Sequence, residues 1–282
     1  MRWYNANQAA SFSAFGAATA IAFDGTNIWI TLQDLGTVTK LRANDGGLSA
    51  NVSVGSDPRG VALDGASIWV ANFGDGNVVK LRASDASVQG VFTVGLNPTG
   101  VAFDGTNIWV ANHGGNSVTV LHAVDGSPVG TITGLPGASQ LAFDGVNMWV
   151  TETGSSSAVA KVNASSRAVL NTFSMPGGAN GIAFDGTSIW VSNDAGKTIT
   201  KLRASDGSVQ GSFPTGNTPA GVAFDGSNIW VSNNGSGTVT ELRAADGSVV
   251  GTYTSGGGPL GLAFDGANVW VANNSSGTVS KL

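Results

Sequence analysis

The amino-acid sequence predicts an all-β fold, a seven-bladed β-propeller of four-stranded blades whose ring is closed by the N-terminal strand. Three observations predict it. A tryptophan recurs at Trp29, Trp69, Trp109, Trp149, Trp190, Trp230 and Trp270, in steps of 40, 40, 40, 41, 40 and 40 residues. Five residues before each one stands an Asp-Gly turn, at Asp24, Asp64, Asp104, Asp144, Asp185, Asp225 and Asp265. Each chain end, finally, holds the part of a repeat that the other lacks. A fixed long period marks a repeat architecture and constrains the fold more than any local signal. No Pro-rich, Ser-rich or charged linker breaks the period, so residues 1–282 read as a single domain.

The stretch Gly100–Asn112, GVAFDGTNIWVAN, shows how one repeat is built. Its first strand is Gly100–Phe103 and its second Ile108–Ala111, joined by the Asp-Gly turn whose glycine supplies the positive φ of a tight hairpin. The third strand is clearest at Thr198–Arg203 (TITKLR), where β-branched and long side chains alternate. A fourth, Ser208–Phe213, follows a Ser-Asp-Gly turn and ends on an aromatic ring. Pro58, Pro98, Pro219 and Pro259 stiffen the loop that enters the first strand. No segment keeps an apolar period of 3.6 long enough for a helix.

Four strands in such a repeat make the blade of a propeller. An open stack would leave exposed ends, and the termini argue against that. The last repeat stops at Lys281-Leu282, where the fifth runs on through Arg203 into its fourth strand. Counting back 12 residues from each turn aspartate gives Phe12, Val52, Phe92, Ile132, Phe173, Phe213 and Tyr253. Phe12 thus fills a fourth-strand slot and Arg2 falls in register with Arg203. Residues 1–14 are expected to complete the last blade and remove an exposed strand edge.

Composition narrows the function. The chain has 13 basic and 18 acidic residues, a formal net charge of −5, and 41% apolar residues. No Lys/Arg face exists to neutralise phosphates, so nucleic acid is not an expected partner. The absence of cysteine excludes a disulfide framework and thiol chemistry. The most apolar stretch, Ala14–Phe23, is too short to cross a bilayer, and no signal peptide opens the sequence. Membrane insertion is therefore not expected.

The strings Trp-Val-Ala-Asn (Trp69–Asn72, Trp109–Asn112, Trp270–Asn273) and Trp-Val-Ser-Asn (Trp190–Asn193, Trp230–Asn233) resemble the Tyr-Val-Thr-Asn signature of YVTN-type propellers. The preceding Phe-Asp-Gly-x-Asn-Ile-Trp is similar to NHL and virginiamycin B lyase-like repeats. The resemblance covers essentially the whole chain, with Trp in place of the leading Tyr. It implies a propeller fold, and a range of roles from surface-layer proteins and binding scaffolds to a few enzymes. The virginiamycin B lyase type implies upper-face His and Glu residues with a magnesium ion.

Subtracting the repeated residues shows where chemistry could sit. Seven acids belong to the first turns, five (Asp45, Asp85, Asp125, Asp206, Asp246) to the third turns, and Glu241 replaces a third-strand lysine. The acids left over are Asp34, Asp57, Asp75, Glu152 and Asp194. All lie in the loop after the second strand or the loop before the first, which open on one face, here called the upper face. Arg59 and Lys197 lie there too. The loops of that face differ from copy to copy, and the fourth carries the extra residue of the 41-residue step. With His113 and the aromatic Phe73, expected to be exposed, the candidate ligand-binding residues are Asp34, Asp57, Phe73, Asp75, His113, Glu152 and Asp194. Counting Arg59 and Lys197, their formal charge is −3, which favours a cation, a polyol or a basic partner over an anion.

Other motifs lead nowhere. Gly256–Gly261 matches a dinucleotide fingerprint but precedes no helix. His113 and His122 are the only histidines, and His122 occupies the slot of Arg42, Arg82 and Arg203. His113 and Glu152 read as equivalent loops of adjacent blades, but one histidine is too few for the site that the lyase resemblance implies. The asparagines at the end of the second strand (Asn72, Asn112, Asn193, Asn233, Asn273) read as starters of Asx-turns. No catalytic residue, metal ligand or cofactor is assigned. The expected role is a non-enzymatic binding or structural scaffold, extracellular or at the cell surface, monomeric, with an unidentified protein or carbohydrate on the upper face. The alternatives are a metal-assisted lyase or hydrolase of the virginiamycin B lyase-like type, or an amplified or engineered repeat protein with no evolved ligand.

Overall fold

The computed structural model describes residues 10–14, 16–154, 157–175 and 177–282. They form seven four-stranded antiparallel sheets and contain no α-helix among the described residues. Blade 1 consists of Ala18–Phe23, Asn27–Leu32, Thr37–Arg42 and Leu48–Ser53, and each following blade repeats this order. The strands run slightly longer than the apolar runs that signal them. In blade 3 the first strand starts at Pro98 and the second spans Asn107–Asn112, while in blade 5 the fourth is Val209–Pro214. A proline can open the first strand because its missing N–H falls at a strand end.

Blade 7 takes three strands from the C-terminal end, Pro259–Phe264, Val269–Asn273 and Thr278–Lys281, and its fourth from Ala10–Ser13. Phe12 pairs with Val279, and its ring lies 5.5 Å from that of Trp270. The fourth-strand count at Phe12 is therefore met in space. The register expected of Arg2 lies outside the described residues.

The tryptophans pack against the fourth-strand side chains of their own blade and also across to the next blade. Trp29 of blade 1 joins Ile68, Val70 and Leu81 of blade 2 in one apolar cluster, and Trp270 of blade 7 joins Ile28 and Ile30 of blade 1. Burying such an indole removes roughly 150–250 Å² from water. At about 25 cal/mol per Å² this is worth roughly 4–6 kcal/mol per blade junction as an upper bound.

Each indole also explains its turn aspartate. In all seven blades the Trp Nε1–H donates to Oδ2 of the Asp five residues earlier, at 2.7–2.8 Å. The other oxygen, Oδ1, accepts the two backbone N–H groups that follow the turn glycine, as in Thr26 and Asn27 onto Asp24. The repeated aspartate thus fixes a hairpin and orients a core ring at once.

A third device ties neighbouring blades. Lys40, Lys80, Lys161, Lys201 and Lys281 lie with their ammonium groups 5.0–5.1 Å from the centroid of their own blade's tryptophan. Each donates to a third-turn carbonyl of the next blade, for example Lys161 Nζ to Ala204 O at 2.7 Å and to Ser205 O at 2.8 Å. Carbonyl dipoles and the ring face supply what a carboxylate would.

Candidate functional site

Loops after the second strand hydrogen-bond to loops before the first, as in Phe73 N to Asp57 O and Gly74 N to Ser56 O, both 3.0 Å. Both loop sets therefore lie on one face, around the mouth of the central channel. The second residue of every first strand turns toward that channel: Thr19, Arg59, Thr99, Ser139, Asn180, Ala220 and Leu260. Five of these are polar and two, in blades 6 and 7, are apolar. The seven positions break the repeat in a strand that otherwise hardly varies, and this was the sequence signal that charge-counting passed over.

A cavity of about 450 Å³ opens at the mouth over blades 2–5. It is lined by Arg59 and Phe73, by Thr99 and His113, by Ser139, Thr153 and Ser157, and by Asn180 and Asp194. Below it the channel encloses about 290 Å³, with Arg59, Thr99, Ser139 and Asn180 common to both walls. Ile21, Val61, Val101, Ile182, Val222 and Leu262 form an apolar belt in the channel. Glycine at the third position of most first strands keeps the channel narrow: a Cβ on Gly181 would run into the Ala220 carbonyl of the next blade.

Arg59 is the most constrained side chain of the mouth. Its Nη2 donates to Asp57 Oδ2 at 2.9 Å and its Nε to Asp57 Oδ1 at 3.2 Å. Its guanidinium lies 3.5 Å from the centroid of the Phe73 ring. Phe73 is accordingly half-buried beneath the arginine, where an exposed ring was expected. Next to it, His113 Nε2 is 3.1 Å from Thr153 Oγ1, whose own proton goes to Gly137 O. The Thr153 hydroxyl therefore meets the imidazole as an acceptor.

Three predicted residues, Phe73, His113 and Asp194, therefore line one cavity, and Asp57 supports it through Arg59. The remaining three stand elsewhere. Asp34 accepts Ala17 N and Asp75 accepts Ser56 N, both at 2.8 Å, stapling the two upper loops of blades 1 and 2. Ser236 makes the same staple in blade 6, accepting Asn217 N at 2.8 Å. Glu152 is only 3% exposed and occupies the asparagine slot at the end of the second strand, so Thr153 is the true counterpart of His113. Burial raises the Glu152 carboxyl above its ordinary value.

The asparagines themselves are buried and brace their blades. Asn112 Nδ2 donates to Ser117 Oγ at 3.2 Å and to Thr119 Oγ1 at 2.9 Å, while its Oδ1 accepts Gly95 N. They link the second strand to the third and to the preceding loop, and do not face the funnel. Among the described residues no group of three or more His, Asp or Glu side chains is placed to hold a metal ion.

Solved structures share this fold along nearly the whole chain. A hydrazine synthase of Kuenenia stuttgartiensis matches with a TM-score of 0.85 and 18% identity, covering 100% of this chain and 99% of that one. A catalytically inactive virginiamycin B lyase from Staphylococcus aureus, solved with quinupristin, matches with a TM-score of 0.84 and 18% identity over 97% and 98% of the two chains. A streptogramin B lyase matches with a TM-score of 0.82 and 15% identity over 97% and 96%. No family model matches the sequence, and no curated protein does. At these identities the likeness carries the propeller fold and nothing finer. The fold expected from the Trp-Val-Ala-Asn resemblance is the one observed.

Proposed function

We propose that this propeller is a non-enzymatic binding module that holds a small ligand at its upper mouth, over blades 2–5. One observation carries the reading: the repeat is broken in concert on one side of the mouth, where Arg59, Phe73, His113, Thr153 and Asp194 converge on a single cavity of about 450 Å³. A volume of that order is typical of small-molecule sites. Arg59, clamped by Asp57 and stacked on Phe73, needs little further ordering when a ligand arrives. The remaining blades fill the same positions with Gln33, Asn234 and Asn274.

The lyase alternative has less support, because His113 meets Thr153 and Glu152 is buried in the asparagine slot. The experiment is a glycan and small-molecule array read against two variants. Replacing Phe73, His113 and Asp194 by Ala together should abolish capture and leave the melting temperature nearly unchanged. Asp104→Ala, in a lower turn, should lower the melting temperature and spare capture. Full capture by the upper-face variant, or none by the wild type, would overturn the binding module.

A further inference from the structure

We infer that the ligand of the upper mouth is an amphipathic carboxylate, its head group on Arg59 and its apolar chain threaded into the central channel. The inference rests on the binding reading above and names the ligand class.

Arg59 is built as an oxyanion receptor. Asp57 occupies its Nε and Nη2, and Nη1 makes no hydrogen bond among the described residues. The edge formed by Nη1 and Nη2 is left for a second acceptor. A guanidinium held flat by a ring and by one carboxylate presents that edge at a fixed angle, the geometry that a planar carboxylate meets with two parallel hydrogen bonds. Of the acids near the mouth, Asp34 and Asp75 are tied by loop amides and Asp57 by Arg59 itself, while Asp194 lines the cavity from the blade 5 side and accepts Ala195 N.

Beneath Arg59 the channel changes character. Val61, Val101, Val222 and Leu262 offer apolar contact there, Ile21 and Ile182 being largely buried in the blade junctions, and the rim above is apolar at Ala220 and Leu260. The main-chain carbonyls that could keep it wet are in part already used. Thr31 Oγ1 donates to Arg59 O at 3.0 Å, Ser192 Oγ to Ala220 O at 2.6 Å and Ser232 Oγ to Leu260 O at 2.6 Å. A purely polar ligand would leave this channel unserved, and a purely apolar one would leave the Arg59 edge unpaired.

The test is isothermal titration of the full chain with sodium acetate, butanoate, hexanoate and octanoate, and with octanol. Affinity should climb about fourfold per methylene along the carboxylates, as transfer of each CH₂ from water predicts. Arg59→Met should weaken octanoate about tenfold or more, and Arg59→Lys should not restore it, since the fork is lost. Val101→Phe, which narrows the channel, should flatten the chain-length series. If that variant misfolds, the wild-type series alone decides. Acetate binding as well as octanoate, octanoate binding indifferent to Arg59→Met, or no binding of octanoate would overturn the inference. Array ligands captured through the upper face while octanoate fails would sink the carboxylate and leave the binding module standing.

Discussion

Lys281 donates from Nζ to the main-chain carbonyl of Ala43 at 2.8 Å, so the end of the chain is bonded to an outer turn of its first blade. The sequence distance is 238 residues, yet the contact is the one that Lys40 makes with Ala83 and Lys201 with Ala244 at a separation of 43. The junction of blades 7 and 1 is therefore built like the other lysine-bearing junctions. A ring whose seam is no weaker than its other joints should unfold as one unit.

Closure by the N-terminal strand makes that claim testable. Removing residues 1–14 strips Ala10–Ser13 from Thr278–Lys281 and takes Phe12 off Trp270. The bared edge should aggregate, and melting should lose cooperativity. Calorimetry and size-exclusion chromatography of the truncated chain decide it. A truncated protein that melts like the full chain would show that the ring does not depend on this strand.

Trp109→Ala should cost about 3–5 kcal/mol. The indole is fully buried against Met148 and Val150 of the next blade, and its loss also removes the shorter of the two hydrogen bonds to Asp104 Oδ2, leaving the one from Asn107 Nδ2. Urea titration measures it. A change below about 1 kcal/mol, the scale of surface substitutions, would mean that the ring is not a wedge between blades.

What the sequence made legible follows from what repetition can carry. The blade count, the closure at Phe12 and the recurrence of the tryptophans could be read because each was written several times over. The pairing of Trp Nε1 with the turn aspartate was equally periodic but was read only as turn chemistry, since spacing does not say which way a side chain points. The site was harder. Counting charges found Asp34 and Asp75, which staple loops, and Arg59 was noted only as a charge. Its role depends on Phe73 and Asp57 reaching it from two different loops, and no one-dimensional pattern encodes that. Glu152 shows the same limit: it was counted with His113 among the loop residues, whereas it ends the buried second strand.

Acid should loosen the turns in a predictable direction. Burial pushes the carboxyls of Asp24, Asp144, Asp185, Asp225 and Asp265 up, but the indole and backbone N–H groups outweigh it and hold all five below 3.8. A depressed folded value adds stability that is present above the unfolded value and is lost as pH falls through the folded one. Melting temperature should therefore drop as pH falls below 3.8. Trp149→Phe, which removes one donor, should move the Asp144 titration upward in carboxyl-carbon NMR. An Asp144 midpoint unmoved by that change would show that the indole bond does not hold the carboxylate.

Glu152 has the opposite sign. Its carboxyl stands where Asn112, Asn193, Asn233 and Asn273 find hydroxyl partners on the third strand. The facing residues in blade 4 are Ala158 and Ala160, which have none to offer. Burial raises its carboxyl above 4.5, so the folded chain prefers the protonated acid. A raised folded value contributes stability that is full below the unfolded value and is lost as pH rises through the folded one. At neutral pH the wild type should therefore carry a penalty that Glu152→Gln removes, because the amide has nearly the same shape and no charge. The variant should melt higher than the wild type at neutral pH, and the difference should close well below 4.5. Thermal melts of the two proteins across that range read both the sign and the midpoint. A variant that melts lower at neutral pH would mean that the ionised carboxylate is held by a partner, and would move Glu152 from the core of blade 4 back among the groups that serve the mouth.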